Sequence, residues 1–172
     1  MSFPGRWAII SLLGVACTPP APAPAPRPVA PAPVTRSGYG ATEARIFDLV
    51  NSQRTRRGLP ELAHNPQLDQ MAMIQAQNMA RFQRMAHVLP ESSLPTLSDR
   101  ARHVGYPYRE IAENIALGYP SADRVVEGWM NSSGHRANIL NRGVVETGIA
   151  VMRSRDGGLY YCQVFGRRLT SI

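Results

Sequence analysis

Two histidines and one glutamate, His87, Glu113 and His135, stand in three separate segments of this 172-residue chain. Two imidazoles and a carboxylate suffice to hold zinc or another divalent metal with a fourth position left open. Without a metal, Glu113 can serve as a base and a histidine as an acid. A structural role stands beside these. Glu113 accepting hydrogen bonds from both imidazoles would form a buried network in which losing one member costs roughly 1–3 kcal/mol. None of these roles is open unless the fold brings the three segments together. They are therefore the candidate catalytic and metal-binding residues, and no nucleotide- or coenzyme-binding residues are expected.

The surrounding spacing narrows the chemistry. No HExxH or CxxC pattern adds to the metal reading. A Gly-x-Ser-x-Gly elbow is absent, which argues against a serine hydrolase of that class, and Ser133 does not form a triad with His135 by adjacency alone. His64 and His103 lie in polar, Pro- or Arg-flanked contexts and are expected to be solvated. Glu127 is expected at the surface and Trp129 in the core. Arg136 and Asn138 are expected to bond loop carbonyls or to cap a short helix.

The elements that must position the trio can be read from periodicity. Thr42 can cap a first helix whose Ile46, Leu49 and Val50 form an apolar stripe, ending at Gly58. Asn65-Pro66 opens a second helix, with Leu68, Met71, Ala72, Met79 and Phe82 at helical spacing. Its methionines read as core filler. His87 follows it. A short helix is predicted near Thr96–Val104, a strand over Glu110–Leu117, a helix capped by Ser121, and a turn or short helix around Arg136–Leu140. Val144–Arg153 and Leu159–Arg167 read as strands joined by the hairpin signal Asp156-Gly157-Gly158. Helices first and locally paired strands last predict a mixed α/β architecture with an antiparallel sheet.

The N-terminal part has a different composition. Residues 1–16 carry a single charge, Arg6, and a short apolar run, as a secretory signal does. That run is too short to span a bilayer. Leu13-Gly14-Val15-Ala16-Cys17 resembles the lipobox of bacterial lipoproteins, which makes Cys17 the expected lipidation site and a lipid chain the membrane anchor. Thr18 rather than Asp follows, a pattern that in diderm lipoproteins resembles export to the outer membrane. Residues 17–37 are mostly Pro and Ala, with eight of the fifteen prolines between Pro19 and Pro33. Such a segment favours extended polyproline conformation and spans on the order of 60 Å, a tether. Residues 38–172 are the expected folded domain. With Cys17 acylated, Cys162 has no disulfide partner and reads as a small buried residue. The net charge is +7, every basic residue being arginine. The arginines are scattered and accompany no nucleic-acid-binding motif, so attraction to an anionic envelope surface is the expected consequence, and no nucleic-acid partner is expected.

The blocks taken together resemble the CAP superfamily, the SCP-like or pathogenesis-related-1-like domain, in its bacterial form. The resemblance runs from about Thr42 to Arg167. It rests on Leu49-Val50-Asn51-Ser52-Gln53-Arg54, Met79-Ala80 with His87, Arg100 with Gly105-Tyr106, and Ala112-Glu113-Asn114-Ile115-Ala116. It continues through Trp129-Met130-Asn131-Ser132, Gly134-His135-Arg136 with Asn138-Ile139-Leu140, Gly148-Ile149, and Tyr161 with Gln163-Val164-Phe165-Gly166. It implies an α+β fold, a three-layer α-β-α sandwich with a central antiparallel sheet and a large cleft. In that family the cleft commonly holds two His and two Glu, sometimes with a divalent metal. His87, Glu113 and His135 match three of the four. The fourth position, three residues after Trp129, is Ser132.

The resulting expectation is an extracytoplasmic, lipid-anchored binding module. It would take a small apolar ligand or an envelope component (lipid, glycan or protein) through the His/Glu cleft. The segment from Tyr106 to Tyr119 is the candidate surface, where Tyr106, Tyr108 and Tyr119 can flank an apolar ligand, packing under loops being their plainer role. The alternative is a metal-assisted hydrolase acting on envelope peptide or glycan. A third reading is a structural protein docked to anionic wall or outer-membrane material.

Overall fold

The computed structural model describes residues 40–169. The signal-like segment, Cys17 and the whole tether lie outside the described residues, as do the last three positions. The chain runs α1 (Ala41–Thr55), β1 (Ala63–His64), α2 (Pro66–Phe82), α3 (Leu97–His103), β2 (Tyr108–Leu117), α4 (Ala122–Asn131), α5 (Ser133–Ile139), β3 (Glu146–Arg153) and β4 (Leu159–Arg168).

The strands form one sheet in the order β1-β3-β4-β2. β3–β4 and β4–β2 are antiparallel. The two residues of β1 add to β3 in parallel, so the sheet is mixed and not purely antiparallel. A two-residue strand has no alternation to read, which is why periodicity misses it.

Side-chain alternation divides the core between the two faces of the sheet. On β2, Ala112 and Ala116 face one layer, where Ile46 and Val50 of α1, Val125, Val126 and Trp129 of α4 and Ile139 of α5 pack. Ile111 and Ile115 face the other, where Leu68, Met71, Ala72 and Met79 of α2 and Ala101 of α3 pack. This is the expected three-layer sandwich.

Local chemistry sets the element ends. Asn65 caps α2, its Oδ1 accepting from the backbone of Gln67 (2.9 Å) and Leu68 (3.2 Å), with Pro66 in the first turn. Thr96 and Asp99 form a capping box on α3. Ser121 caps α4. α1 differs from the expectation: it starts after Gly40 with no side-chain cap, and Thr42 lies inside it. The buried side chain of Asn51 clips the following loop, donating to Leu62 O (3.1 Å) and accepting from Leu62 N (2.8 Å). Buried Arg54 donates to the carbonyls of Pro60, Ile139 and Asn141 at 2.8–2.9 Å, tying α1 to the end of α5.

α2 lies close along β3. A Cβ at Gly148 would fall into the α2 backbone at Leu68 and Asp69, so only glycine admits this approach. Asp69 Oδ1 accepts from the Ile149 N–H at 2.9 Å, fixing the register of helix on strand. His64 is not solvated as its context suggested. It is part-buried, paired with Asp69, with its ring edge-on to Phe47 at 6.5 Å between centroids. His103 is exposed.

Candidate functional site

Glu113 projects from β2 toward the α2–α3 layer and is 6% exposed. Its Oε2 accepts from Nη2 of Arg100 at 2.5 Å, and Arg100 is wholly buried. The Cys162 thiol donates to the same oxygen at 3.5 Å. Oε1 contacts His87 Nδ1 at 2.9 Å. Arg100 Nη1 donates to Gln75 Oε1 at 2.6 Å, and Gln75 Nε2 donates to the carbonyls of Ala86 (2.5 Å) and His87 (3.4 Å). The path Gln75–Arg100–Glu113–His87 therefore closes on itself. It holds the segment after α2 against the sheet and aims one imidazole outward. The His87 side chain is 55% exposed.

His135 approaches from the opposite layer. Its carbonyl accepts from Asn114 Nδ2 at 3.1 Å. Asn114 follows Glu113 on β2 and so faces the other way. The two histidines thus come from opposite sides of the sheet around β2, an outer strand. Burial, and secondarily the charge of His87, push the His135 pKa below its ordinary 6.5. The neutral form is favoured. The three residues picked from sequence do lie in one neighbourhood: His87 and Glu113 bonded, His135 within electrostatic reach of His87.

α4 and α5 are stitched to β2 by two side chains. Trp129 Nε1 donates to Ile115 O at 3.2 Å. Asn138 Nδ2 donates to Glu113 O at 3.3 Å and to Asn114 Oδ1 at 2.9 Å. The accepting carbonyls are two residues apart, so both face the same side of the strand. Trp129 is core, as expected, and Asn138 joins the block holding His135 to the block holding Glu113. Arg136 donates to Met130 O at 3.0 Å, and Glu127 pairs with Arg124 at the surface.

The donor set fits zinc poorly. Both oxygens of Glu113 are engaged, one by a buried guanidinium. Turning the carboxylate to a divalent cation would leave Arg100 unpaired beside it, which is costly. Among the described residues, no three His, Cys, Asp or Glu side chains are grouped so as to hold a metal ion. His87 and Glu113 meet as bonded partners, as the network reading of the sequence has them, and no hydrogen bond joins Glu113 to the His135 side chain among the described residues. Ser132, at the fourth position, sits at the α4–α5 junction beside a concavity of about 400 Å³ with Tyr119, Glu127 and Gly128.

The three tyrosines do not all share one site. Tyr106 is 2% exposed, donates to Glu146 at 2.6 Å and has the Arg168 guanidinium 4.6 Å above its ring. Its hydroxyl pKa is raised, by burial first and by Glu146 second. Tyr106 and Tyr108 line a concavity of about 530 Å³ separate from that of Tyr119. Most of the segment assigned as a ligand-binding loop is the strand β2.

Arg100, Gln75 and Asn114 are the site residues that sequence reasoning missed. Arg100 left a readable trace: Leu97, Arg100, Ala101 and Val104 are spaced three and four apart, which puts the arginine on the buried stripe of α3. A cation there needs a buried anion, and Glu113 is that anion.

The CAP family model, described as the Cysteine-rich secretory protein family, matches residues 47–165. The chain is 32% identical over 131 residues to protein YkwD of Bacillus subtilis (strain 168), covering 76% of this chain and 49% of that one. It is also similar to the crystal structure of an extracellular protein containing a SCP domain from Bacillus anthracis str. Ames, at 32% identity and a TM-score of 0.66, covering 74% of this chain and 40% of that one. The chain thus spans half or less of these relatives' length. At the level of fold alone it resembles NaASP2, whose structure was solved with Zn2+, with 13% identity, a TM-score of 0.54, and coverage of 80% and 85%. Among the described residues no helix is long and apolar enough to cross a membrane. The sandwich, the ordered blocks and the family match make this chain a member of the CAP family.

Proposed function

We propose that this is an extracytoplasmic binding module, held at a membrane by lipid on Cys17, whose cleft beside β2 takes an envelope component through His87 and His135. The supporting observation is the division of labour at Glu113. Its carboxylate is fully engaged inside the protein, and it orients an imidazole that remains half open to solvent. An oriented imidazole suits a polar group on a lipid, glycan or peptide. With both oxygens already engaged, this carboxylate has none turned toward a substrate. Full-length protein extracted from membranes and analysed by native mass spectrometry should carry a small molecule that His87→Ala loses. Repeatedly empty spectra, with no uptake of labelled lipid or envelope fragments, would reject the reading. Anchoring is tested separately: Cys17→Ala should abolish incorporation of labelled palmitate.

The second reading is hydrolysis of envelope peptide or glycan. The lowered pKa of His135 favours it, since a neutral imidazole near a second histidine can act as a base. Turnover on purified envelope material that is lost in His135→Gln, with the fold intact, would favour catalysis. A zinc titration by calorimetry settles the metal. Heat that disappears in His87→Ala and His135→Ala would show that both imidazoles take part in binding it.

A further inference from the structure

A further polar concavity lies where α2 ends against the β3–β4 hairpin. Its volume is about 510 Å³, and Arg81, Gln83, Arg153 and Arg155 line it together with Ala80 and Ser154. The register explains why three arginines meet there. α2 is pinned to β3 at Leu68 and Asp69, against Gly148 and Ile149. From Leu68 to Gln83 the helix rises about 22 Å. From Gly148 to Arg155 the strand and its continuation advance about 23 Å. The matched lengths bring the helix end to the hairpin.

None of the three guanidiniums makes an ion pair among the described residues, while six other arginines do. Two are fixed without being neutralised. Arg153 donates to Gly157 O at 2.9 Å, and Arg81 stacks on Phe82 at 5.3 Å. The nearby carboxylate, Asp156, is turned into the hairpin, where Ser154 and the Gly158 N–H bond it. Its pKa is lowered by Ser154, the Gly158 backbone and, as a smaller cause, the side chain of Gln83. Gln83 stands in the left-handed region, at φ 50°, where glycine is the ordinary residue. The end of α2 adds roughly half a negative charge. Against three arginines, that and Asp156 leave the concavity with a net charge of about +1.5.

We propose that this concavity binds a phosphate group, as the free ion or as the ester of an anionic lipid headgroup. Guanidinium forks match phosphate oxygens in pairs, and a tetrahedral phosphate can meet three of them where a planar carboxylate offers two oxygens. The site does not depend on the cleft or on its reading.

The test is titration of the full-length protein with inorganic phosphate at low ionic strength, followed by amide shifts and calorimetry. Saturable binding is expected, with shifts centred on residues 81–83 and 153–157. Arg153→Gln with Arg155→Gln should weaken it by at least about tenfold, the loss of one charge-assisted contact or more. Arg56→Gln with Arg57→Gln removes the same net charge from the exposed end of α1 and should leave binding unchanged. No saturable binding, or equal weakening by the two double variants, would overturn the proposal. Vesicles separate the sources. Retention on phosphatidylglycerol over phosphatidylcholine vesicles that falls in the Arg153/Arg155 variant assigns a lipid headgroup. Retention unchanged in that variant, with phosphate binding by the unaltered protein, assigns the free ion.

Discussion

Glu113→Gln is the sharpest perturbation of this structure. It keeps the shape of the side chain and removes its charge. Arg100, wholly buried, then faces an amide and retains only Gln75 as a polar partner at its other amino group. Breaking a buried pair from one side costs about 3–5 kcal/mol, because the surviving charge stays desolvated. For a domain with about 5–15 kcal/mol in total, that is a fifth or more of its stability. At about 4 °C per kcal/mol for a domain of this size, Tm should fall by roughly 12–20 °C. Adding Arg100→Met removes the stranded cation, and the double variant should recover most of the loss. Urea unfolding of the full-length protein, followed by circular dichroism, supplies both free energies and the coupling between them. If Glu113→Gln costs under about 1 kcal/mol, or the double variant is no more stable than the single, the pair does not brace the sheet and the reasoning fails.

His135 should titrate below 6.5 by NMR. Its folded form binds protons less readily than its unfolded form, so it favours folding above pH 6.5 and that contribution is lost as pH falls. His135→Gln should flatten this slope, and an unchanged slope would move its origin elsewhere. Gly148→Ala should destabilise by about 1–3 kcal/mol by forcing α2 off β3, seen as a lower urea midpoint with an unchanged m-value. Cys162 is fully buried and its thiol pKa is pushed up, chiefly by burial and then by Glu113. In a Cys17→Ser chain it should resist a thiol reagent at pH 8 until urea is added, and rapid native labelling would contradict the packing. Trp129→Phe should cost about 1 kcal/mol beyond its lost area, from the missing bond to Ile115.

The elements with strong local chemistry were legible in the sequence. Asn65-Pro66 and Ser121 cap the helices they precede, the short helix read near Thr96–Val104 is there, and Asp156-Gly157-Gly158 turns the hairpin. What escaped were contacts settled by tertiary approach. The two residues of β1 form a strand only because β3 lies beside them. His64 looked solvated because its neighbours in sequence are polar, yet its neighbours in space are Asp69 and Phe47. At the site, the sequence named His87 and Glu113, which meet. It gave no role to Gln75, and none beyond a family block to Arg100, and these two decide what Glu113 can do. A carboxylate reads the same in sequence whether metal or guanidinium awaits it. The tyrosines show the same limit: Tyr106 and Tyr108 share one concavity at the start of β2, while Tyr119, about a dozen positions along at its far end, lies at another.

The stitching of Trp129 and Asn138 onto β2 bears on how copies of this protein can meet. A sheet grows by recruiting another chain to an open rim. At one rim, an indole and a carboxamide already occupy two backbone acceptors. At the other, β1 presents only two residues. Neither border offers a long template, so crowding should not propagate strand by strand, and encounters between copies are left to helices and loops.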